Sequence, residues 1–306
     1  RVVGGRHFSP TGWAWPETWV NEIWVGDDRR GLSVMCETQV PLRGEKRTEV
    51  VHGDGTRTLK VHVIDGAHIV TEPIHLEYGW QATPVKPRPE NPKRWHVTYR
   101  MMNREGFWNR VHTSVRWAPL KYWSWPELKE TWKGDGMQKV EELHEHGVHV
   151  VTYFNTNLAS DDVPQLKPFL PAWRTYPERR LGDRFGSGSR VFTCLRSGSY
   201  EDYVLWSAHE VLEKLGFRGI YTYSSSHECF NHYHGCGWWD EQAGEWRPTV
   251  NLWDYRRTYK RLWRMFKSGG RDAVIFDHGF PFCGLLGFVE VNTTGEAWYQ
   301  AEENQY

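Results

Sequence analysis

From Trp19 to about Met101 the apolar residues fall in short extended runs, Val20 to Val25, Leu32 to Thr38, Thr58 to Ile64 and Ile74 to Ala82. Turn residues separate them at Gly26-Asp27-Asp28, Gly53-Asp54-Gly55 and Asp65-Gly66. No helical period survives in this stretch, so the pattern predicts strands joined by hairpin-type turns, an antiparallel sheet or a sandwich. The segment Thr83-Pro84-Val85-Lys86-Pro87-Arg88-Pro89 carries three prolines in seven residues. It resists both helix and central strand and reads as the connection into a second unit.

After Val111 the rhythm changes. Met137, Val140 and Leu143 share a helical face that stops at Gly147, and the buried run Val148 to Phe154 follows at once. Tyr200, Tyr203, Val204, Ala208, Val211, Leu212 and Leu215 make a longer face from about Ser199 to Gly216, ahead of the run Gly219 to Tyr223. A third face, Tyr255, Tyr259, Leu262 and Phe266, ends at Gly269 and precedes Ala273 to Phe276. Helix, glycine, buried strand, repeated in this way, is the signature of parallel βαβ units. Strands are expected near 111–117, 148–154, 190–195, 219–223, 273–278 and 286–292, about six of the eight a closed barrel needs. The expected architecture is therefore a β-sandwich-like domain over residues 1–104 and a (β/α) TIM-type barrel over 105–306. The barrel has either two strands the pattern does not reveal or a missing wall. Unpaired edges of that kind are normally covered, so a second chain or a further segment of polypeptide is the expected way of completing it.

Composition narrows the ligand. Lys plus Arg and Asp plus Glu each number 38, so no basic excess is available for a phosphate backbone or an anionic bilayer, and no apolar run has the length of a membrane span. Neither nucleic acid nor membrane is an expected partner. The aromatic load is high, with 19 Trp, 14 Tyr and 13 Phe, and rings that join a large apolar face to a polar edge suit sugar rings as well as cores. Five cysteines are too few for a disulfide-built scaffold, and their odd number leaves at least one thiol unpaired within the chain. The chain has no Gly-x-Gly-x-x-Gly after a strand, no Walker loop, no Gly-x-Ser-x-Gly and no His-Glu-x-x-His. Without a dinucleotide fingerprint the parallel units point to a barrel, whose ligand chemistry sits at the C-terminal strand ends.

Several segments resemble the bacterial proteins grouped around glycoside hydrolase family 123. Glu22-Ile23-Trp24-Val25-Gly26-Asp27 with Arg30-Gly31-Leu32 is similar to a strand and turn of their N-terminal domain, and Gln81-Ala82-Thr83-Pro84-Val85-Lys86-Pro87 to its exit. Arg218-Gly219-Ile220-Tyr221 resembles a barrel strand, His234-Gly235-Cys236-Gly237 with Arg247-Pro248-Thr249 a long insert, and Phe288-Val289-Glu290 with Gly295-Glu296 a later strand and its loop. The resemblance implies a β-sandwich followed by a glycosidase-type barrel, acting on an oligosaccharide or polysaccharide in an extracellular or periplasmic setting. Members of the group often carry Asp where Tyr223 and Glu290 stand here. The first change loses a carboxylate and the second keeps one. Family 123 enzymes proper use an adjacent Asp-Glu pair with the substrate's acetamido group. The only such pair near this region, Asp240-Glu241, reads as a polar hairpin tip.

Glycosidic cleavage normally takes two carboxyl groups flanking the bond. Glu228, in the loop after the 219–223 strand, and Glu290 or Glu296, after the 286–292 strand, are the expected catalytic residues. Trp117 and Trp123 after the first long strand, Asn155 and Asn157 after the second, Tyr223, and Asp277-His278 after the 273–278 strand are the expected sugar contacts. The tract 181–189, rich in glycine and serine, is either a loop over the cleft or a plain connection. His227, Cys229, His232, His234 and Cys236 fall within ten residues. They suit either a Cys229–Cys236 disulfide, the favoured reading, or zinc, although no standard zinc spacing is matched. Neither a metal nor another cofactor is assigned on this basis. Glycoside hydrolase is the leading reading. The alternative is a non-catalytic glycan-binding or structural protein on a degenerate glycosidase scaffold, which the Tyr223 position favours. A metal-dependent hydrolase would rest on the His and Cys cluster alone.

Overall fold

The computed structural model describes residues 2–4, 7–9, 13–14, 22–27, 29–37, 48–53, 55–62, 67, 69–71, 73, 75–87, 96–98, 111–116, 119–183, 188–224, 228–240, 243–279 and 283–293. Among the described residues, eight strands precede the proline-rich connection: β1 (Val2–Gly4), β2 (His7–Ser9), β3 (Trp13–Ala14), β4 (Glu22–Gly26), β5 (Gly31–Met35), β6 (Thr48–His52), β7 (Arg57–Val61) and β8 (Gly79–Thr83). They form two antiparallel sheets, β2-β1-β4-β5-β8 and β3-β6-β7, as the hairpin-type turns lead one to expect.

A six-stranded sheet is built on β9 (His96–Thr98), β10 (Val111–Arg116), β11 (His149–Phe154), β15 (Gly219–Ser224), β18 (Val274–Gly279) and β19 (Val291–Thr293). All five ladders between them are parallel, and the strands lie side by side in chain order. Helices α1 (Asp135–Glu145), α3 (Gly198–Lys214) and α4 (Leu252–Lys267) make the crossovers into β11, β15 and β18, and a single-turn α2 (Leu170–Trp173) lies between α1 and α3. Among the described residues this is half of a (β/α) barrel, with β9 and β19 at its edges. Each helix presents its expected face to the sheet: Val140 and Leu143 from α1, Tyr200, Tyr203, Val204, Ala208 and Val211 from α3, and Leu252, Tyr255, Tyr259, Leu262 and Phe266 from α4 are all buried.

Two expected strands differ. The run 190–195 does not join the parallel sheet. Its first part is β14 (Arg190–Phe192), which pairs antiparallel with β12 (Leu158–Ser160) and β13 (Arg180–Leu181). A buried apolar run fits either kind of ladder, and pairing with the chain that directly follows β11 closes the shorter loop. The run 286–292 divides into a short helix α5 (Cys283–Leu286) and β19. Sequence reasoning misses several short strands, β1, β2, β3, β6, β12 and β13 among them. In the parallel sheet it misses β9, three residues long and ahead of residue 104, where the two domains were expected to divide.

Period-two alternation sorts the sheet into two faces. Val150, Phe154, Ile220 and Ile275 meet the helices. Val115, Val151, Tyr153, Tyr221, Val274 and Phe276 form a separate cluster on the other face, which in a barrel is the interior. The ladder that sets this register begins at Gly219↔Val274. Gly219 has φ +145°, and a Cβ there would stand 2.0 Å from the Val274 carbonyl oxygen. Only glycine permits that approach.

At the end of the sheet where the strands start, a groove is lined by His149, Phe217, Arg218, Arg271 and Asp272. His149 Nε2 lies 2.9 Å from Asp272 Oδ2, and its ring stacks on His112 at 4.6 Å. Burial, then the neighbouring His149, push His112 down to about 4. Burial, then Arg218, push His144 on α1 down to about 4.

Two outcomes are expected. Gly219→Ala must move the β15–β18 ladder or strain it, and should cost about 2–5 kcal/mol in denaturant unfolding or prevent folding; a change below about 1 kcal/mol would contradict the register argument. His112 and His144 stay neutral in the folded chain down to about pH 4, whereas an unfolded histidine takes up its proton near 6.5. The stability they contribute is complete above about 6.5 and is lost as pH falls toward 4. Denaturant unfolding at pH 7.5 and 5 should show a smaller drop for the His112→Gln/His144→Gln double variant than for the parent chain. Equal drops would contradict the assignment.

Candidate functional site

The C-terminal ends of β11, β15 and β18 converge on a run of aromatic side chains. Trp123, in the connection after β10, meets Tyr153 edge-on at 4.1 Å between ring centroids. Tyr153 is stacked with Tyr223 at 5.9 Å, and Tyr223 meets His278 edge-on at 4.7 Å. Tyr221 lies beneath, its hydroxyl hydrogen-bonded to His278 Nδ1. The side chains of Tyr223 and His278 are half-buried, whereas Trp123, Tyr153 and Tyr221 are buried, so Tyr223 and His278 are the accessible part of this floor.

Trp123 is held in an unusual conformation. Its φ of +62° is the left-handed region, which a bulky side chain rarely occupies and which costs of order 1–3 kcal/mol. The Arg190 guanidinium of β14 packs over its indole at 4.8 Å, a cation–π contact that helps hold the ring in place. Next to this floor come Asn155, Thr156 and Asn157, each at most 2% exposed. Neither amide atom of Asn155 has a hydrogen-bond partner among the described residues, nor does the Thr156 hydroxyl. The Asn157 carbonyl accepts from the Thr193 N–H at 2.9 Å, which ties the start of β12 to the far side of β14. Buried amides normally find partners, so Asn155 offers one unused donor and one unused acceptor at the strand ends.

The structure separates the expected carboxylates. Glu228 is exposed on the C-terminal side of β15. Glu290 is not after a strand but just before β19, at the opposite end of the sheet: its Oε2 accepts the Ile275 N–H at 2.8 Å and its Oε1 pairs with Lys267 Nζ at 3.0 Å. It closes the start of β18. From Ile275 to Gly279 the strand rises about 13 Å, beyond the roughly 5 to 10 Å that either glycosidase geometry spans. Glu228 and Glu290 therefore do not face each other across one bond. Glu296 and Trp117 lie outside the described residues.

Asp277 is also displaced from its expected role. Alternation turns it away from Tyr223 and toward α4, where it is 1% exposed. There it accepts from the Tyr259 hydroxyl at 2.7 Å, the Thr222 hydroxyl at 2.8 Å and Asn292 Nδ2 at 2.9 Å. It joins sheet to helix instead of meeting a ligand. Asp240 sits on the hairpin of β16 (Trp238–Asp240) and β17 (Glu245–Arg247), bonded to Arg247 and to the Ala243 N–H. That is the polar hairpin tip read from the sequence.

A second constellation is built by the chain after β14 and the loop after β15. The Sγ atoms of Cys194, Cys229 and Cys236 and a ring nitrogen of His234 all lie within 4.8 Å of one another. No disulfide joins Cys229 to Cys236, and all five cysteines are free thiols. His232 stands apart, its ring against Trp246 at 4.6 Å, and His227 lies outside the described residues. Sequence reasoning missed Cys194, which approaches from the chain after β14, and it missed Tyr153 and Tyr221. For the tyrosines a signal existed: within the buried runs 148–154 and 219–223, alternation puts 153, 221 and 223 on one face.

No protein-family model matches the sequence, and no curated protein matches it. Among solved structures, the chain is similar to an α-galactosidase from Thermus thermophilus in complex with stachyose, at 13% identity, over 89% of this chain and 58% of that one, with a TM-score of 0.47. It is similar to an α-L-fucosidase from Paenibacillus thiaminolyticus at 20% identity, over 55% of this chain and 27% of that one, with a TM-score of 0.38. A cycloalternan-degrading enzyme from Trueperella pyogenes gives 14% identity, 87% and 44% coverage and a TM-score of 0.46. The chain thus spans 58% or less of the length of these proteins, and none of the three is described as a member of family 123.

Proposed function

We propose that this chain recognises a glycan at the C-terminal face of its half-barrel, on a glycosidase-type scaffold in which the two N-terminal sheets act as a sandwich. The observation that carries the reading is the aromatic floor Tyr153–Tyr223–His278 set beside the unused amide of Asn155. A sugar ring offers a C–H face that packs on aromatic rings, and its hydroxyls both donate and accept, which is what Asn155 lacks. The position of Glu290 at the far end of the sheet favours recognition over cleavage by a Glu228–Glu290 pair. A hydrolytic version would combine Glu228, on the correct side of β15, with Glu296, which follows β19 in the sequence.

Binding to an oligosaccharide panel, read by calorimetry, tests this. Tyr223→Ala should weaken the best ligand about 3- to 10-fold and Asn155→Ala about 10-fold, while Trp239→Ala, on the exposed hairpin, should leave affinity unchanged. Loss with Trp239→Ala and none with Tyr223→Ala would move the site elsewhere. Turnover of the same panel, abolished by Glu228→Gln and by Glu296→Gln, would establish the hydrolytic version.

A further inference from the structure

We propose that Cys194, Cys229, His234 and Cys236 form a structural zinc site that fastens together the loops on the C-terminal side of the half-barrel. This inference is independent of the glycan reading.

The four ligand atoms are gathered closely enough to share one ion, all within 4.8 Å of one another. Cys194 Sγ and Cys236 Sγ are 3.7 Å apart, and Cys229 Sγ and His234 Nδ1 are 3.8 Å apart. Zinc bonds of about 2.3 Å to sulfur and 2.0–2.1 Å to nitrogen give tetrahedral edges of about 3.8 Å between sulfurs and about 3.5 Å between sulfur and nitrogen. A disulfide requires about 2.05 Å, and three thiols gathered at one point cannot all pair. The three cysteines are at most 2% exposed, so this is an enclosed site with four protein ligands and no open position, the arrangement of a structural zinc rather than a catalytic one. Three soft sulfur ligands favour zinc over magnesium or calcium.

The surroundings are also those of metal ligands. His234 Nε2 stands 2.7 Å from the Ala172 carbonyl oxygen. That contact holds the ring proton on Nε2 and turns the Nδ1 lone pair toward the sulfurs, as metal-bound imidazoles require. Asn251 Nδ2 donates to Cys194 Sγ at 3.1 Å, and the Asn231 N–H donates to Cys229 Sγ at 3.4 Å. Such donors stabilise thiolates. Asn251 reaches its sulfur from a φ of +57°, a region asparagine tolerates better than most residues. Binding of a divalent zinc removes one proton from each of the three thiols, leaving the four-ligand centre with one net negative charge. The Arg196 guanidinium is the adjacent cation, its Nη1 donating to the Gly235 carbonyl at 3.1 Å.

The ligands come from three places: the chain between β14 and α3, the loop after β15, and the turn leading to β16. The ion would therefore pin the loop that carries Glu228 to the antiparallel sheet above β11. The test uses the full chain, purified under reducing conditions without chelator. Elemental analysis should give about one zinc per chain, and exchange for cobalt should give the ligand-field and thiolate charge-transfer bands of a tetrahedral site. Cys194→Ser and Cys236→Ser should remove the cobalt bands, whereas Cys36→Ser and Cys283→Ser should keep them. Asn251→Ala, which spares all four ligands, should weaken zinc about 10- to 100-fold. A reduced parent chain that takes up neither zinc nor cobalt would overturn the proposal. So would a native disulfide among Cys194, Cys229 and Cys236 found by non-reducing peptide mapping.

Discussion

Six residue pairs, from Gly219↔Val274 to Ser224↔Gly279, join β15 to β18, and the backbone contact that starts this ladder leaves no room for a Cβ at position 219. Once that pairing is fixed, alternation leaves no choice about which side chains share a face. Tyr221 and Tyr223 must lie beside Phe276 and His278, and Thr222 beside Asp277. Shifting β15 by a single residue would bury the tyrosines under α4, and shifting β18 by one would turn the carboxylate of Asp277 into the interior. The aromatic floor and the Asp277–Tyr259–Thr222 cluster are thus two consequences of one register.

Charge ties the N-terminal sheets to the helices that flank the parallel sheet. Glu37, just past β5, pairs with Arg196 and accepts the Trp253 N–H at 2.7 Å, while Arg196 also donates to Asp254 at 2.6 Å. Arg257 continues the chain of charges to Glu201. Burial alone would lower the Arg196 pKa, but Glu37 and Asp254 more than offset it and hold the guanidinium charged. Buried pairs of this kind add little net stability over an apolar contact, yet breaking one costs several kcal/mol. Their effect is on geometry: Arg196 fixes the chain between Cys194 and α3, and with it one side of the thiol cluster. Glu22, bonded to Ser33 and to the Cys283 N–H, makes a second joint between β4 and α5.

The parts of the fold legible in the sequence are those that local pattern determines. The faces of α1, α3 and α4 and the runs forming β11, β15 and β18 follow from periodicity and from glycines that end helices. The three-residue β9 is too short to carry a period, and 190–195, expected in the parallel sheet, pairs elsewhere because its partner is decided by loop closure. The site was legible only in part. Asn155, Tyr223 and His278 lie at the C-terminal ends of β11, β15 and β18. Asp277 differs because one step along a strand reverses its direction, and Glu290 because the strand starts after it rather than before. Cys194 could not be joined to Cys229 from spacing, since 34 residues, a whole helix among them, separate the two.

Hydrogen exchange with and without a bound oligosaccharide tests most directly whether recognition belongs to the C-terminal face. The account predicts added protection in 153–157, 221–224 and 276–279 on binding, with 147–149, 213–218 and 271–273 unchanged. Protection confined to the latter segments, which line the groove at the strand starts, would contradict it.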